Sequence, residues 1–479
     1  MFKPFRSSAS TAGPLMLALL SASIAGALAL PSAANASAFQ LKEGSAKSMG
    51  RAYAGSNAAG GDASVVATNP AALSELDGTY LQADITAINF SAKFNGSAYD
   101  ALGRPISGGN GGDGGTTLPV PSLFFATKVS DRVNVGLGLN VPFGFQTEYD
   151  HDWIGRYNGL KSRFQSMDAT LSASFKVNDS FSIGGSVIAE KTIAELTNAV
   201  NFNGVGLGLV QQGVAAGAIP PAQAPALIGA VNTLLPPGSD GHARIYGDNT
   251  AWGWQAGALW KLSANDTLAL DYRSRITHGL KGTANFTDIP PAVGMLLSNP
   301  AVAALLAGGT PFQHTTAAAN FTTPATAGLS YWHQDQAFGL GVDLGWTQWD
   351  VMKQLTVNYA NPAQPPSSLD FNWHDSWFAS VGADWYVTDK LTLRGGVGLD
   401  TTPTRATTRE PRVPDSTRQL ASIGIGYKAS EHFELNASFM HVFVNAAHLD
   451  RAASATGDVL TGAFDDYGNV LSLAAQYKF

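Results

Sequence analysis

The chain has 479 residues, a formal net charge of -7 at pH 7 and no cysteine. The lack of cysteine excludes a disulfide framework, a thiolate metal site and a thiol nucleophile. The modestly acidic balance argues against nucleic acid as a partner. Charged residues make up only 14% of the chain and glycine contributes 52 residues, which is typical of neither a helical cytosolic enzyme nor a disordered tail.

The amino-terminal segment has the pattern of a secretory signal. Lys3 and Arg6 precede a short run rich in Leu and Ala, and Ala-Asn-Ala at 34–36 offers small residues for cleavage. The apolar run is too short to span a membrane as a helix. We predict a signal peptide over residues 1–36. Its removal takes the charge from -7 to -9, because the segment holds two basic and no acidic residues.

Apolar and polar residues alternate in many segments of the remaining chain. The pattern is clear over residues 133–141 and 169–177, and again over residues 467–479, where the chain ends in Phe479. Such strands have one face for lipid and one for water, and a terminal Phe is the usual signal read by the barrel assembly machinery. No stretch of the mature chain is long and apolar enough for a transmembrane helix. The sequence therefore predicts an all-β transmembrane antiparallel barrel of about 14 strands over residues 77–479.

The connections between these segments alternate in length, with short turns on one side and long loops on the other. An even strand number places both termini on the periplasmic side, so the long loops are extracellular. Five tryptophans fall near the ends of outward faces, where aromatic girdles are expected: Trp252, Trp254, Trp260, Trp377 and Trp385. The alternative is a soluble β-sandwich with aromatic residues in its core.

Residues 37–76 precede the first strand, do not alternate and are rich in Gly and Ala. Such a segment either hangs outside the membrane or folds into the lumen as a plug, which we call the hatch. The motifs in it and beyond it occur in a fixed order: Ser37-Ala38-Phe39-Gln40-Leu41, Gly50-Arg51-Ala52-Tyr53-Ala54-Gly55, Asn69-Pro70-Ala71, Pro142-Phe143-Gly144 and Trp153-Ile154-Gly155-Arg156-Tyr157. In this order and spacing the chain resembles the FadL family of outer-membrane transporters for long-chain fatty acids and other hydrophobic compounds.

The resemblance implies a lumenal hatch and a sideways exit. The hatch positions carried over are Arg51, Tyr53, Asn69, Pro70 and Ala71. Family members have a kinked third strand that opens the barrel wall toward the outer leaflet, and the corresponding residues are Asn140, Pro142, Phe143 and Gly144. Proline cannot donate to a ladder, so Pro142 suits a kink, although it equally suits the simple end of a strand.

Two long loops are unusual because they carry no charge. Neither residues 199–239 nor residues 289–313 contain a charged side chain, whereas extracellular loops are normally polar. The apolar residues singled out here as a surface groove are Leu207, Leu209, Val210, Leu234, Leu235, Leu296, Leu297, Leu305, Leu306 and Phe312. In the resembling family the corresponding loops form a first, low-affinity substrate site. The alternative is that the loops bury these residues against one another as a cap.

Basic residues facing the lumen are candidate partners for a fatty-acid carboxylate. Continuous alternation over residues 266–282 turns Arg273 and Arg275 inward, and Arg394 faces inward by the same count. A charge-assisted hydrogen bond gains strength where water is scarce. The same groups can instead pair with lumenal acids, so the carboxylate site stays open between these two interpretations.

No catalytic set stands out in the sequence. His278 and His441 fall on faces counted as outward, without a supporting motif, and nine dispersed His with no Cys give no metal-ligand spacing. We predict neither enzyme activity nor a cofactor.

The sequence predicts a monomeric barrel in the bacterial outer membrane, surrounded by lipid and lipopolysaccharide. The resemblance implies that it passively takes up long-chain fatty acids or similar hydrophobic molecules, captured by its apolar loops and released laterally through the barrel wall. The alternatives are uptake of aromatic or alkane hydrocarbons, as in the TodX-like branch, and a general porin. A plug and uncharged loops disfavour the porin.

Overall fold

In a computed structural model the described residues are 38–298, 309–451, 454 and 456–479. The predicted signal peptide lies outside them, as do Leu305 and Leu306. The described part of the chain folds as a closed antiparallel barrel with a short helical segment at its amino-terminal side. None of its helices has the length and apolar character needed to cross a bilayer.

Fourteen strands form the barrel, and six of them are interrupted. The uninterrupted strands are β1 Thr79–Tyr99, β2 Thr117–Lys128, β4 Lys161–Lys176, β5 Phe181–Asn201, β6 Asp240–Lys261, β11 Leu391–Asp400, β12 Arg418–Lys428 and β14 Val459–Lys478. The interrupted strands are β3 (Val133–Asn140, Gly144–Glu148), β7 (Asp266–Arg273, Ile276–Thr287), β8 (Thr315–Thr323, Thr326–Gln334), β9 (Phe338–Thr347, Gln354–Tyr359), β10 (Ser367–Asp370, Ser376–Tyr386) and β13 (Phe433–Val444, Ala447–Asp450). Both parts of β13 pair with β14, with a one-residue shift in register between them.

Each strand pairs with its neighbours in sequence, and β1 closes the barrel by pairing with β14 from Tyr80↔Lys478 to Tyr99↔Val459. The backbone N–H of Phe479 donates to the carbonyl of Thr79 at 2.9 Å, which ties the carboxy-terminus to the first strand. Closure leaves no free sheet edge and satisfies the backbone in lipid. The predicted barrel of about fourteen strands is confirmed.

The outer surface carries the apolar face of the alternation. Leu137, Leu139 and Leu171 are 54–57% exposed, as lipid-facing side chains must be. Trp252 and Trp377 lie nine residues above the periplasmic ends of their strands at Lys261 and Tyr386, whereas Trp260 and Trp385 lie next to those ends. These positions fit the two interfacial girdles.

The helices are short and lie at the two ends of the lumen. In the amino-terminal segment they are α1 Ala46–Met49, α2 Val65–Thr68 and a 3-10 helix Pro70–Glu75. In the extracellular loops they are α3 Phe202–Ala215, α4 Ala224–Leu234 and α5 Pro291–Leu297, with 3-10 turns at Pro221–Gln223 and Trp349–Val351. Pro291 occupies the first turn of α5, where its missing N–H is harmless.

Candidate functional site: the lumen and the break in its wall

The hatch lies against the inner face of the barrel and is bonded to it by buried charges. The Arg51 guanidinium is 1% exposed and donates to both carboxylate oxygens of Asp384 on β10, at 3.1 and 3.2 Å. Arg394 on β11 donates to the same carboxylate at 3.2 Å. Breaking a buried pair of this kind costs about 3–5 kcal/mol, so Arg51 is a strong anchor.

The Asn69-Pro70-Ala71 turn is a second anchor. The Asn69 side-chain oxygen accepts from the Ala71 N–H at 3.0 Å, and its amide group donates to the carbonyls of Ala258 and Leu270 on β6 and β7. Gly257 makes this approach possible, because a Cβ there would lie 1.9 Å from the Asn69 oxygen. At this point the hatch comes close to the wall because Gly257 has no side chain.

The third strand is interrupted within the predicted kink. β3 pairs with β2 as far as Leu123↔Leu139, and the next backbone bond on that side runs from the Glu148 N–H to the Gly114 carbonyl, at 2.9 Å. We call the unpaired stretch between Leu139 and Glu148 the wall gap. On its other side β3 stays bonded to β4, with a one-residue shift between Asn140↔Asp168 and Gly144↔Gln165.

Two prolines on β2 face the wall gap. The N–H of Lys128 and the carbonyl of Thr116 form their backbone hydrogen bonds on the β1 side. Because the bonding direction alternates along a strand, the even-numbered residues of β2 bond to β1 and the odd-numbered residues bond to β3. Pro119 and Pro121 are odd, and neither has an N–H to donate toward β3. Pro142 likewise has no N–H, and its carbonyl accepts from Leu41 of the amino-terminal segment rather than from a wall strand. The prediction of the break rested on Pro142 alone, although the odd-numbered positions of Pro119 and Pro121 on β2 also indicate it from sequence.

The first residues of the hatch are hydrogen-bonded to the broken strand. The Leu41 N–H donates to the Pro142 carbonyl at 2.8 Å, and the Gly144 N–H donates to the Phe39 carbonyl at 2.9 Å. The Phe39 ring is buried among six aromatic rings: Phe143, Phe145, Phe164, Phe321, Trp349 and Trp373. The backbone groups freed by the kink thus find partners inside the lumen rather than in the wall.

Two cavities lie on either side of this segment, and Gln40 and Leu41 line both. The upper cavity has a volume of about 280 Å³ and is mostly apolar, with Ile88, Val442 and Val470 among its lining residues. It extends to the wall gap, because residues 118–120 of β2 and 144–147 of β3 also line it. The lower cavity, about 170 Å³, is polar and lies over the hatch beside Asp271 and Asp343.

The cation that distinguishes the upper cavity is Arg412, in the inward-folded loop between β11 and β12. It is 5% exposed and donates to three neutral oxygens, those of Ser162, Thr197 and Asn198, while its Nε has no partner. In the described part of the chain it forms no ion pair. Burial lowers the pKa of Arg412 to about 10, although nearby Glu410 opposes the fall. A buried guanidinium without a counter-ion is suited to bind an anion.

Two of the predicted carboxylate partners are already neutralised. Arg273 donates to Asp168 and Glu190, both fully buried, and Arg394 is held by Asp384 and Asn436. Neither is free for a ligand as the structure stands. Pairing with lumenal acids, the second interpretation of the sequence, is the one that their contacts match.

The prediction that Arg275 faces the lumen is wrong. Arg273 and Ser274 are both buried and Arg275 is exposed, because a one-residue bulge separates the register Gln255↔Arg273 from Asp248↔Lys281. The extra residue reverses the alternation, so Lys281 also faces outward. The same reversal turns His278 inward, contrary to expectation, where its Nε2 lies 2.8 Å from a Glu190 oxygen.

The apolar loops form a cap over the extracellular end, which we call the loop cap. Leu207, Val210 and Leu235 are at most 4% exposed and pack between α3, α4 and α5. Their assignment to an open groove is therefore wrong, because the helices bury them against each other. Leu209, Leu296, Leu297 and Phe312 are partly buried, and Leu234 is 47% exposed, so these still offer apolar surface.

No group of three or more His, Asp and Glu in the described ranges is arranged to hold a metal ion. The buried residues Arg273, Asp168, Glu190 and His278 form ion pairs and hydrogen bonds with one another, and only Asp168 Oδ1, Arg273 Nε and His278 Nδ1 among their polar side-chain atoms lack a partner in the described structure. The chemistry of the lumen is therefore binding chemistry: an apolar cavity, a buried arginine without an ion pair among the described residues and a gap in the wall.

A closed barrel with lipid-facing girdles, an occupied lumen and a ligand-sized cavity defines an outer-membrane transport protein. The chain belongs to the family described as "Outer membrane protein transport protein (OMPP1/FadL/TodX)", which it matches over residues 27–479. Members of this family are transport proteins, and this chain is an outer-membrane protein that transports hydrophobic compounds.

Relatives of known name span most of the chain. The Escherichia coli O6:H1 long-chain fatty acid transport protein is 27% identical over 408 residues, covering 84% of this chain and 86% of that protein. Outer membrane protein P1 of Haemophilus influenzae is 26% identical, with 87% and 88% covered. The crystal structure of a Pseudomonas aeruginosa FadL homologue has 30% identity and a TM-score of 0.83, covering 92% of this chain and all of that one. The Pseudomonas putida toluene transporter TodX, at 16% identity and 0.63, shares the fold.

Proposed function

We propose that this protein takes up long-chain monocarboxylic acids, captured at the loop cap, held in the upper cavity and released sideways through the wall gap. The observation that carries the proposal is a single cavity that combines apolar walls, the unpaired buried cation Arg412 and an end at an interrupted strand. Relatives described as long-chain fatty acid transport proteins support the substrate class.

Capture begins at the cell surface, where lipopolysaccharide sugars hold back a greasy solute. The partly exposed Leu209, Leu234, Leu296 and Leu297 offer apolar area above the lumen. Burial is worth about 0.8 kcal/mol per CH₂, so a tail of ~16 carbons gains on the order of 10 kcal/mol before entropy costs. This gain drives entry without an energy source.

The upper cavity then orients the ligand. Its carboxylate pairs with Arg412, which is buried without an ion pair in the described part of the chain, whereas Arg418 of the same cavity already pairs with Asp415. The Nε donor, unsatisfied without ligand, gains a charged acceptor. The tail lies among Ile88, Leu118 and Val442.

Release follows the wall gap rather than the hatch. Each strand residue rises about 2.5 Å along the membrane normal at a tilt of ~40°. The gap starts roughly ten residues beyond the periplasmic turn, or ~25 Å above it, near the outer edge of the apolar band. A tail that moves sideways therefore enters the outer leaflet, whereas the downward path crosses the buried bonds of Arg51 and Asn69.

The experiment compares Arg412→Gln with Arg405→Gln, an exposed residue of the same loop. Purified proteins in detergent are titrated with a fluorescent long-chain acid and with an alkane of equal length. We expect Arg412→Gln to weaken acid binding by about ten- to a hundredfold and leave alkane binding unchanged. Arg405→Gln changes neither.

Equal binding of acid by both variants contradicts a carboxylate site. Tight alkane binding in the native protein, together with weak acid binding, favours hydrocarbon uptake instead. Steady ion conductance in a planar bilayer contradicts both acid uptake and hydrocarbon uptake, and it indicates an open porin.

A further inference from the structure

The outer wall over β4 to β7 carries basic side chains at a height where lipid headgroups lie. We call Arg163, Lys191, Arg244, Arg275 and Lys281 the basic patch; all lie on the outward side of these strands. Asp248 pairs with Lys191, and Glu195 pairs with Arg244 at 2.6 Å. Five cations against these two acids leave a local charge of +3 in a chain whose net charge is -7.

Arg275 is the residue that needs explanation. The bulge at Ser274 turns it outward, beside Trp254, whose carbonyl accepts from the Ser274 N–H at 2.9 Å. Within the described ranges it has no acidic partner, and Lys281 on the same face has none either. A lipid-facing arginine is costly at the bilayer midplane and becomes favourable only where it reaches anionic headgroups.

Height along the strand places these residues at that level. Arg275 lies roughly ten residues beyond the turn that begins β7 and Lys191 roughly eleven beyond the turn that begins β5, or ~25 Å above the periplasmic turns at about 2.5 Å per residue. Trp252 and Trp254, 71% and 52% exposed, border this zone. Arg163 and Lys281 lie higher, where phosphorylated sugars of an outer leaflet would be.

We propose that the basic patch binds the phosphate groups of the outer-leaflet glycolipid, lipopolysaccharide, and that Arg275 and Lys281, two of the three patch cations without an acidic partner in the described ranges, receive them. Clustered cations at a membrane surface attract anionic headgroups, and arginine suits phosphate oxygens geometrically. Arg163 also lines the upper cavity near the wall gap, so the bound lipid lies beside the proposed exit. The patch faces outward and does not depend on what the lumen carries.

The test uses full-length protein in detergent and Arg275→Gln with Lys281→Gln. Neither change leaves a carboxylate without its partner. The control is Arg132→Gln, an exposed cation on a periplasmic turn. Native mass spectrometry measures binding of diphosphorylated lipid A, with dephosphorylated lipid A and inorganic phosphate as comparison probes. We expect the double variant to bind diphosphorylated lipid A about thirty-fold more weakly, from two lost cation contacts, and the control to match the native protein.

Equal affinity of the double variant and the native protein overturns the proposal. So does equal binding of the diphosphorylated and dephosphorylated lipids by the native protein, a measurement that needs no variant to fold. Displacement of the lipid by millimolar inorganic phosphate would point to a free-anion site instead. Arg275→Lys, which keeps the charge, is expected to retain most binding, and unchanged binding of a long-chain acid in the lumen separates this result from the proposed transport.

Discussion

The Leu41 N–H donates to the carbonyl of Pro142 at 2.8 Å, so the start of the hatch is bonded to the residue that breaks the third strand. The hatch and the wall gap are therefore one structural unit. Any motion of residues 39–41 exposes backbone groups of β3, and any shift of β3 loosens the hatch.

The first prediction concerns Phe39, the ring that fixes this unit. Replacing Phe39 with Ala removes six aromatic contacts and costs about 3–5 kcal/mol locally. Because the barrel ladder does not use this ring, we expect faster hydrogen exchange at Leu41 and Gly144 with little change in barrel melting. Leu137→Ala, on the lipid face of β3, is the control and should leave the amides of Leu41 and Gly144 protected. Unchanged exchange in the Phe39 variant would mean that the segment is held by its backbone bonds alone.

The second prediction is a pH dependence of carboxylate binding. The pKa of Arg412 is lowered to about 10, and a bound carboxylate raises it again. A carboxylate titrates at about 4–5, so affinity should be highest between that value and about 10 and should fall as pH rises further, when the free protein loses the guanidinium proton. Fluorescence titration from pH 6 upward, with an alkanol of equal length as control, measures this. A flat acid profile, or the same decline for the alkanol, contradicts the role of Arg412.

The sequence was sufficient to predict the barrel, but it did not correctly predict for every strand which side chains face lipid and which face the lumen. In uninterrupted strands such as β4 the alternation predicts the inward and outward faces correctly, because the pleat of a strand fixes a two-residue period. It fails in β7 because a single inserted residue at Ser274 reverses every later side chain, which is why Arg275 and His278 were assigned to the wrong sides. No local pattern marks that bulge.

The site was harder to predict than the fold. Pro142 marked the break because proline chemistry is local. Arg412 could not be identified, because its burial depends on a loop that folds inward against Ser162 and Thr197. Likewise, Leu207 and Val210 have the composition of an exposed apolar loop, and only the packing of α3 against α4 buries them.

The third prediction concerns hatch retention. Arg51→Met removes one of two cations from buried Asp384 and should loosen the hatch by about 3–5 kcal/mol, while Arg394 keeps the carboxylate paired. We expect intermittent ion conductance in planar bilayers and greater antibiotic leak in cells. The control is Lys428→Gln, an exposed cation at the periplasmic end of β12. Ion conductance and antibiotic leak equal to those of the native protein would show that Asn69 and its neighbours hold the hatch without Arg51.

The fourth prediction concerns the loop cap. Leu296 contacts both apolar clusters of the cap, and Leu297 contacts one of them. Changing both to Asp should slow uptake at low substrate concentration several-fold, because apolar contact worth roughly 25 cal/mol per Å² is lost, while barrel assembly stays intact. Thr233→Asp adds a charge to exposed α4 without removing apolar area and serves as the control. Normal uptake of both acids and hydrocarbons in the double variant contradicts capture at the cap.

The last prediction tests the exit. Pro119 and Phe145 lie on opposite edges of the wall gap, and both line the upper cavity, so we replace each with cysteine. The native chain has no cysteine, so a short bifunctional thiol reagent with a cleavable disulfide joins only these two. Cross-linking should stop uptake while leaving acid binding to the purified protein unchanged, because the link blocks the wall gap and not Arg412.

The matched control places cysteines at Leu123 and Leu139, register partners where the wall is already closed. Transport should resume after reduction in the first pair and never change in the second. Uptake that continues at the native rate through a linked gap would exclude the sideways route and favour passage past the hatch to the periplasm.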